Sequence, residues 1–134
     1  MRAFDAMPEG TAASLEITVE AADVARFGSL SGDDNPIHYE GGAAAEAGYA
    51  RPVVHGMLLG AWVSRLVGTR LPGHGAVLQS VGLEFLGPVF VGDALVITGT
   101  VKHRSEAMRT LVLAVEVRRG TDVVALGRAL VGCR

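Results

Sequence analysis

An acid and an imidazole stand five residues apart in a segment whose other residues favour a turn. Asp33 and His38 belong to the run SGDDNPIH, residues 31 to 38, where glycine, asparagine and proline disfavour regular structure. Across a turn, two side chains at this spacing can converge on one point, whereas on a helix they would not face each other. A carboxylate and an imidazole that share one water can take its proton and return one. Turn-forming residues followed by an ordinary structural histidine would produce the same spacing.

A second candidate group begins the apolar stretch that follows, at His55, Gly56 and Met57. If a helix starts here, its first backbone N–H groups have no intrahelical acceptor and point outward with the positive end of the helix dipole. Gly56 has no side chain to block an approaching ligand, so an oxyanion site for a substrate carbonyl is feasible. The alternative is that Gly56 only allows tight packing and His55 caps the helix.

The hydrophobic pattern predicts the elements that position these groups. Residues 14–19 alternate as a half-buried strand does, and residues 20–30 predict a helix of about two turns before Gly32. From His55 to Thr69 the chain is apolar nearly all round, which predicts a helix surrounded by protein on most sides.

After Gly75 the sequence reads as four strands separated by turn residues, and this spacing predicts an antiparallel meander. The order of one strand, small helices, one long helix and then consecutive strands predicts an α+β fold in which the sheet wraps the long helix. The length of 134 residues predicts a single domain over residues 1–134. An exposed sheet edge must be covered or paired, and dimerisation would do both.

Composition narrows the classes of partner. The net charge is −2 and there is no basic run, which argues against nucleic acid and against a polybasic membrane surface. No stretch of 18 apolar residues exists, and the first ten residues carry acids where a signal peptide would be basic and then apolar. The single Cys133 cannot form an internal disulfide. We therefore expect a cytoplasmic protein with a small-molecule partner.

Four blocks of the sequence carry a resemblance to a known family. They are FGSLSGDDNPIHYE, then RPVVHGMLLGAWVSRLVG with His55 seventeen residues after His38, then LPGHGA and FLGPVFVGD. Taken together, these blocks resemble the MaoC-like, R-specific enoyl-CoA hydratases. The likeness covers about residues 20–95 by motif and the remaining strands by pattern. It implies a hot-dog fold, in which an antiparallel sheet wraps a central helix and two such units pair as a homodimer.

The resemblance also implies roles for individual residues. Asp33 and His38 would hold and activate the water, and the N–H of Gly56 would bind the thioester carbonyl. Ser64 matches by position a serine of the family that lies near this catalytic pair.

Three further residues are candidates for substrate binding: Asn35, His55 and Met57. For Asn35 we favour the alternative that its side chain forms an Asx turn ahead of Pro36 and so shapes the loop.

The reaction implied is reversible syn addition of water to a trans-2-enoyl thioester, giving an (R)-3-hydroxyacyl thioester. This reaction implies no metal or redox cofactor, and coenzyme A or an acyl-carrier protein is counted as part of the substrate. His38 would act as base toward water. The proton for the α-carbon would come from the same water or through Asp33, a choice that the sequence leaves open.

Four alternatives remain at this point. A dehydratase could act on acyl-carrier-protein thioesters with the same residues. A hot-dog thioesterase would place a carboxylate on the central helix, yet residues 55–69 contain none. A noncatalytic subunit would not need Asp33 and His38. A metal site from His38, His55 and a carboxylate lacks any HxxxH or CxxC spacing. Small residues at 40–50 leave the acyl chain length open.

Overall fold

The computed structural model describes residues 4–134. A five-stranded sheet, one long helix and several short helical elements make up this part of the chain. In chain order they are a 3₁₀ turn Phe4–Ala6, strand β1 (Ala12–Thr18), helix α1 (Ala21–Ser31), a 3₁₀ turn Pro36–His38, helix α2 (Ala43–Glu46), helix α3 (Gly56–Thr69), and strands β2 (Ala76–Phe85), β3 (Ala94–Ser105), β4 (Thr110–Arg119) and β5 (Asp122–Cys133).

The sheet is antiparallel throughout and has the order β1-β3-β4-β5-β2. The predicted four-strand meander is therefore wrong in one respect, because β2 pairs with β5 and not with β3. The segment 86–93 carries the chain from one edge strand toward the other. It is anchored at both ends, since Leu86 N–H donates to the Val124 carbonyl and Gly92 N–H donates to the Val19 carbonyl, each at 2.8 Å.

Helix α3 packs its apolar residues against the sheet, which confirms the predicted α+β class. Leu66 approaches so closely that a Cβ on Gly99 of β3 would lie 3.1 Å from it. The core includes alternate residues of β3 and β4, several residues of β5, and five residues of α3: Leu58, Leu59, Val63, Leu66 and Val67.

One face of α3 is not covered, and here the prediction of a helix surrounded on most sides is wrong for the single chain. Met57 is 57% exposed, and Ala61, Ser64 and Arg65 are exposed on the same stripe. The sheet of one chain can cover only one side of this helix. Its apolar outer residues therefore remain unpartnered among residues 4–134.

Helix α1 is longer than predicted, because its 11 residues make about three turns. It begins with a capping box in which the Glu20 N–H donates to Asp23 Oδ2 at 2.9 Å. It ends at Gly32, whose φ of 74° is left-handed and favours glycine. Asp33 is thus placed directly after a sharp helix end. The first strand begins at Ala12 and ends at Thr18, close to the predicted span.

The predicted domain boundaries of 1–134 include residues 1–3, which lie outside the described residues. Within residues 4–134 one hydrophobic cluster joins α3 to the sheet. Among these residues we find no helix with the length and apolar character needed to cross a membrane.

Candidate active site

The loop after α1 fixes the carboxylate of Asp33 by local hydrogen bonds. The Asp33 N–H donates to Ser31 Oγ at 3.1 Å, and the Asn35 N–H donates to Asp33 Oδ1 at 3.2 Å. The Ile37 N–H in turn donates to Asn35 Oδ1 at 3.2 Å, which is the Asx turn favoured above for Asn35. One carboxylate oxygen of Asp33 is therefore held by the turn, and Oδ2 is left for another partner.

His38 ends the 3₁₀ turn and is tied to the residues that lead into α3. Its Nδ1 lies 2.6 Å from the Val53 carbonyl oxygen, and the Val53 N–H donates to the Ile37 carbonyl at 3.0 Å. A carbonyl oxygen can only accept a hydrogen bond, so His38 Nδ1 must carry the proton. In the neutral ring Nε2 then holds a lone pair and can act as a base.

The structure brings Asp33 and His38 together, with Asp33 Oδ2 3.6 Å from His38 Nε2. This distance is too long for a good direct hydrogen bond. With Nδ1 protonated, both facing atoms are acceptors, and one water placed between them could donate a hydrogen to each. The side chain of His38 is 11% exposed and that of Asp33 is 47% exposed, so solvent reaches the pair mainly from the Asp33 side.

A cleft of about 380 Å³ opens beside His38 and includes the start of α3. Gly56 is the first residue of α3, so its N–H has no intrahelical acceptor. The Phe85 ring lies against Gly56, and a Cβ at this position would come within 3.0 Å of the ring. The other lining residues are mainly apolar: Ile37, Tyr49, Val53, Val54, Leu59, Leu86, Gly87, Pro88 and Val89.

His55 lies behind His38 and is only 1% exposed. It occupies the N-cap position of α3, but its side chain makes no capping hydrogen bond. Its Nε2 is 3.1 Å from the Asp33 carbonyl oxygen, and its ring stacks on that of His38 with centroids 3.7 Å apart. In the described part of the chain His55 is not among the cleft-lining residues, so a direct substrate contact gains no support from this geometry.

Tyr39 belongs to the site, although we did not predict it from the sequence. Its hydroxyl donates to the Asp33 carbonyl at 3.3 Å. The hydroxyl needs the space over Gly28, where a Cβ would lie 1.9 Å from the tyrosine oxygen. The available signal was the position of Tyr39 directly after His38, together with a glycine inside the predicted helix.

Ser64 and Met57 lie on the uncovered face of α3. Ser64 follows Gly56 by eight residues, which is about 12 Å along the helix. Among the residues that the structure describes, neither Ser64 nor Met57 lines the cleft. The predicted position of Ser64 near the catalytic pair and the predicted role of Met57 in substrate binding remain predictions.

Three potential metal ligands do come together, because one ligand atom each from Asp33, His38 and His55 lies within 4.8 Å of the others. The two imidazoles are stacked with centroids 3.7 Å apart and an angle of 24° between their planes, so their in-plane lone pairs lie in two separate and nearly parallel planes. A tetrahedral ion needs lone pairs that converge on one point. This arrangement therefore fits a bound water better than a metal ion.

Comparison with known proteins gives the family. Residues 4–124 match the family model described as "MaoC like domain". The chain belongs to the MaoC-like family. The family predicted from the sequence motifs is thereby confirmed.

Two curated relatives of this MaoC-like chain are named for related reactions. It is 46% identical over 84 residues to the (R)-specific enoyl-CoA hydratase of Aeromonas caviae, a match that spans 63% of each chain. It is 34% identical over 128 residues to the 3-hydroxybutyryl-CoA dehydratase of Methylorubrum extorquens, covering 96% of this chain and 82% of the relative.

The fold also matches a solved structure, the (R)-hydratase from A. caviae involved in PHA biosynthesis. The TM-score is 0.90 at 36% sequence identity, and the match covers 96% of this chain and 98% of the other. The predicted hot-dog fold is confirmed.

Proposed function

We propose that this MaoC-like protein catalyses reversible syn hydration of trans-2-enoyl-CoA to (R)-3-hydroxyacyl-CoA. The observation that carries the proposal is the pairing of Asp33 Oδ2 with His38 Nε2 at 3.6 Å, beside a cleft that also contains the Gly56 N–H. The names of the two relatives, an enoyl-CoA hydratase and a hydroxyacyl-CoA dehydratase, support the same chemistry in its two directions.

The pair can activate a water without any further group. A water between Asp33 Oδ2 and His38 Nε2 gives one proton to His38 Nε2 while its oxygen attacks the β-carbon of the enoyl thioester. The electron pair of the double bond moves toward the carbonyl, and the enolate oxygen is stabilised by the Gly56 N–H.

The addition is completed by protonation of the α-carbon. The proton that His38 Nε2 accepted, or one passed through Asp33, is delivered as the enolate electrons return to the α-carbon. The net change is one hydroxyl on the β-carbon and one hydrogen on the α-carbon. Both are delivered by the same Asp33–His38 pair, so both add to one face of the substrate and the addition is syn.

The cleft has the character of an acyl site. Its lining is mainly apolar, with Val54, Leu59 and Phe85 among the contributors. A volume of about 380 Å³ lies near the lower end of the range for small-molecule sites. We therefore expect a short acyl chain to be preferred over a long one.

We further propose that two copies of the chain form a homodimer. Strand β2 is an edge strand that exposes Val77, Val81 and Phe85, each between 40% and 47% exposed. The neighbouring α3 exposes Met57 beside it. A second copy laid against this surface would cover the apolar residues and protect the sheet edge.

The proposal includes a cytoplasmic location. The cysteine at position 133 is free and buried, which suits a compartment where thiols stay reduced.

The test is a spectrophotometric assay of the loss of conjugated enoyl absorbance with trans-2-enoyl-CoA substrates of short and medium chain. Wild-type protein should hydrate them to the R product, as determined by chiral analysis. Asp33→Asn should lose at least about 100-fold in rate, because the amide cannot take the place of the carboxylate beside His38. Asp34→Asn is the matched control, since Asp34 is an exposed residue of the same loop.

Three outcomes of this assay distinguish the proposed function from its alternatives. Equal rates for wild type and Asp33→Asn would contradict the assignment of the pair. If wild-type protein does not hydrate CoA esters but does hydrate the matching acyl-carrier-protein thioesters, the protein would be a carrier-protein dehydratase. Folded protein that is inactive on both would indicate a noncatalytic subunit.

A further inference from the structure

We propose that His55 is a positioning residue that holds Asp33 and His38 in the geometry needed to share a water. The proposal rests on the hydration reaction proposed above. It assigns to His55 no contact with substrate, only contacts with the two residues that activate water.

The hydrogen bond of His55 defines its tautomer. Nε2 lies 3.1 Å from the Asp33 carbonyl oxygen, which can only accept, so Nε2 carries the proton. Nδ1 then carries the lone pair. It is buried without a hydrogen-bond partner among the described residues. The contacts of the His55 ring are therefore the Nε2 hydrogen bond and the packing against Phe27 and His38.

The His55 ring sets the plane of the His38 ring. The hydrogen bond from His38 Nδ1 to Val53 fixes one point of the His38 ring and leaves it free to tilt about the bond. Stacking on His55 at 3.7 Å and 24° removes this freedom, so His38 Nε2 stays directed at Asp33. Phe27 of α1 packs on His55 with centroids 4.9 Å apart, and the burial of His55 prevents it from moving away.

The same ring fixes the backbone of Asp33. Two donors meet at the Asp33 carbonyl, His55 Nε2 at 3.1 Å and the Tyr39 hydroxyl at 3.3 Å. The carbonyl and the carboxylate belong to one residue, so anchoring the first limits where Oδ2 can lie. His55 therefore contacts both members of the pair, one by stacking and the other by a hydrogen bond.

Two substitutions separate the contacts. His55→Phe keeps a ring for stacking and removes the donor, whereas His55→Gln keeps a donor near the position of Nε2 and removes the ring. We expect each to lower kcat about 10- to 100-fold while KM stays within about twofold, because a small displacement of catalytic groups slows chemistry without weakening binding. Circular dichroism and thermal unfolding would establish that each variant is folded.

Either of two kinetic results would overturn the proposal. One is a kcat within twofold of wild type in the folded variants, which would make His55 a space-filling residue. The other is a raised KM with unchanged kcat, which would make it a substrate-binding residue. Wild-type protein without hydration activity would instead contradict the proposed function.

A measurement on wild-type protein tests the geometry even if neither variant folds. The ¹⁵N shifts of the histidine rings report which nitrogen carries the proton. We expect Nε2–H for His55 and Nδ1–H for His38, and the opposite tautomer at His55 would overturn the proposal. Replacing the two exposed histidines, His74 and His103, by Gln assigns the remaining signals.

Discussion

The Nδ1 atom of His38 and the carbonyl oxygen of Val53 lie 2.6 Å apart, and this hydrogen bond joins the loop that carries Asp33 and His38 to the segment that leads into α3. The imidazole is thereby oriented by backbone that also positions the Gly56 N–H. The proposed base and the proposed oxyanion donor are thus held by one continuous segment of backbone contacts.

Two substitutions at His38 should separate this structural bond from the proposed catalysis. The amide of His38→Asn can occupy the Nδ1 position and donate to Val53, whereas that of His38→Gln extends toward the Nε2 position. We expect both to lose hydration by at least about 100-fold. His38→Asn should be the more stable by about 1 kcal/mol in urea unfolding. A hydration rate near wild type in either variant would remove His38 from the mechanism.

Gly56→Ala should destabilise the protein through Phe85. The new methyl group would lie 3.0 Å from the Phe85 ring, and the crowding should cost about 1–3 kcal/mol. Phe85→Leu should relieve much of this cost, which a double-mutant cycle of unfolding free energies would measure. Gly68→Ala is the control on the same helix, because a Cβ there meets nothing within 4 Å. It should be neutral or stabilise by up to about 1 kcal/mol, and equal destabilisation by both changes would contradict the crowding argument.

Asp93 should contribute more to stability than its number of ion pairs indicates. Its Oδ2 accepts from the Phe90 N–H and from Arg119, each at 2.9 Å, and its side chain is only 11% exposed. Asp93→Ala should therefore cost about 1–3 kcal/mol, because it leaves these donors without their acceptor. Asp122→Ala should cost less than about 1 kcal/mol, because Asp122 lies 3.9 Å from Arg119 and is 73% exposed. Thermal and urea unfolding would measure the stability lost in each variant. Similar losses of unfolding free energy in the two variants would contradict the prediction.

Charge on β2 should dissociate the proposed dimer, whereas charge elsewhere on the sheet should not. Val81 on β2 and Val96 on β3 are equally exposed, at 40% and 39%. Val81→Glu places its charge in the proposed interface, and Val96→Glu places it on a strand that is three positions away in the sheet order. Sedimentation velocity should show a dimer for wild type and Val96→Glu, and a monomer for Val81→Glu. A dimer that survives in Val81→Glu and is lost in Val96→Glu would locate the interface elsewhere.

Cys133 should react slowly in the native state. Burial raises the pKa of its thiol and outweighs the opposing influence of Arg109 and Arg104. Because the folded pKa is the higher one, the associated stability is present below the ordinary thiol value and is lost as pH rises through the folded value. Wild-type protein should thus lose stability above about pH 8.5, and Cys133→Ala should lose less over the same range. Alkylation by iodoacetamide should require denaturant, and rapid alkylation of native protein would contradict the prediction.

The local hydrophobic pattern predicts much of the fold. The errors arise where the structure depends on contacts between segments that are distant in sequence. The alternation of β2 identified it as a strand, but alternation does not specify a neighbour. Its pairing with β5 depends on how residues 86–93 cross the sheet. The apolar outer face of α3 was interpreted as burial within one chain because a sequence pattern does not distinguish burial by the same chain from burial by another.

In the candidate site, too, the features fixed by local contacts could be predicted and those fixed by distant contacts could not. The convergence of Asp33 and His38 could be expected from a turn containing Pro36, since the contacts that fix it are local. The stacking of His55 on His38 could not, because it depends on where the start of α3 lies relative to the loop. Tyr39 was missed for a related reason, since its hydroxyl reaches the Asp33 carbonyl only across the gap left by Gly28.

Phe85 lies at once on the wall of the cleft and on the exposed edge strand β2. If a second copy covers this strand, association will restrain the same ring that shapes the substrate site. The catalytic rate per molecule would then depend on the concentration of the protein itself, because that concentration sets the fraction present as dimer. An enzyme diluted below its dissociation constant would lose turnover per molecule, and one that is abundantly expressed would work at full rate.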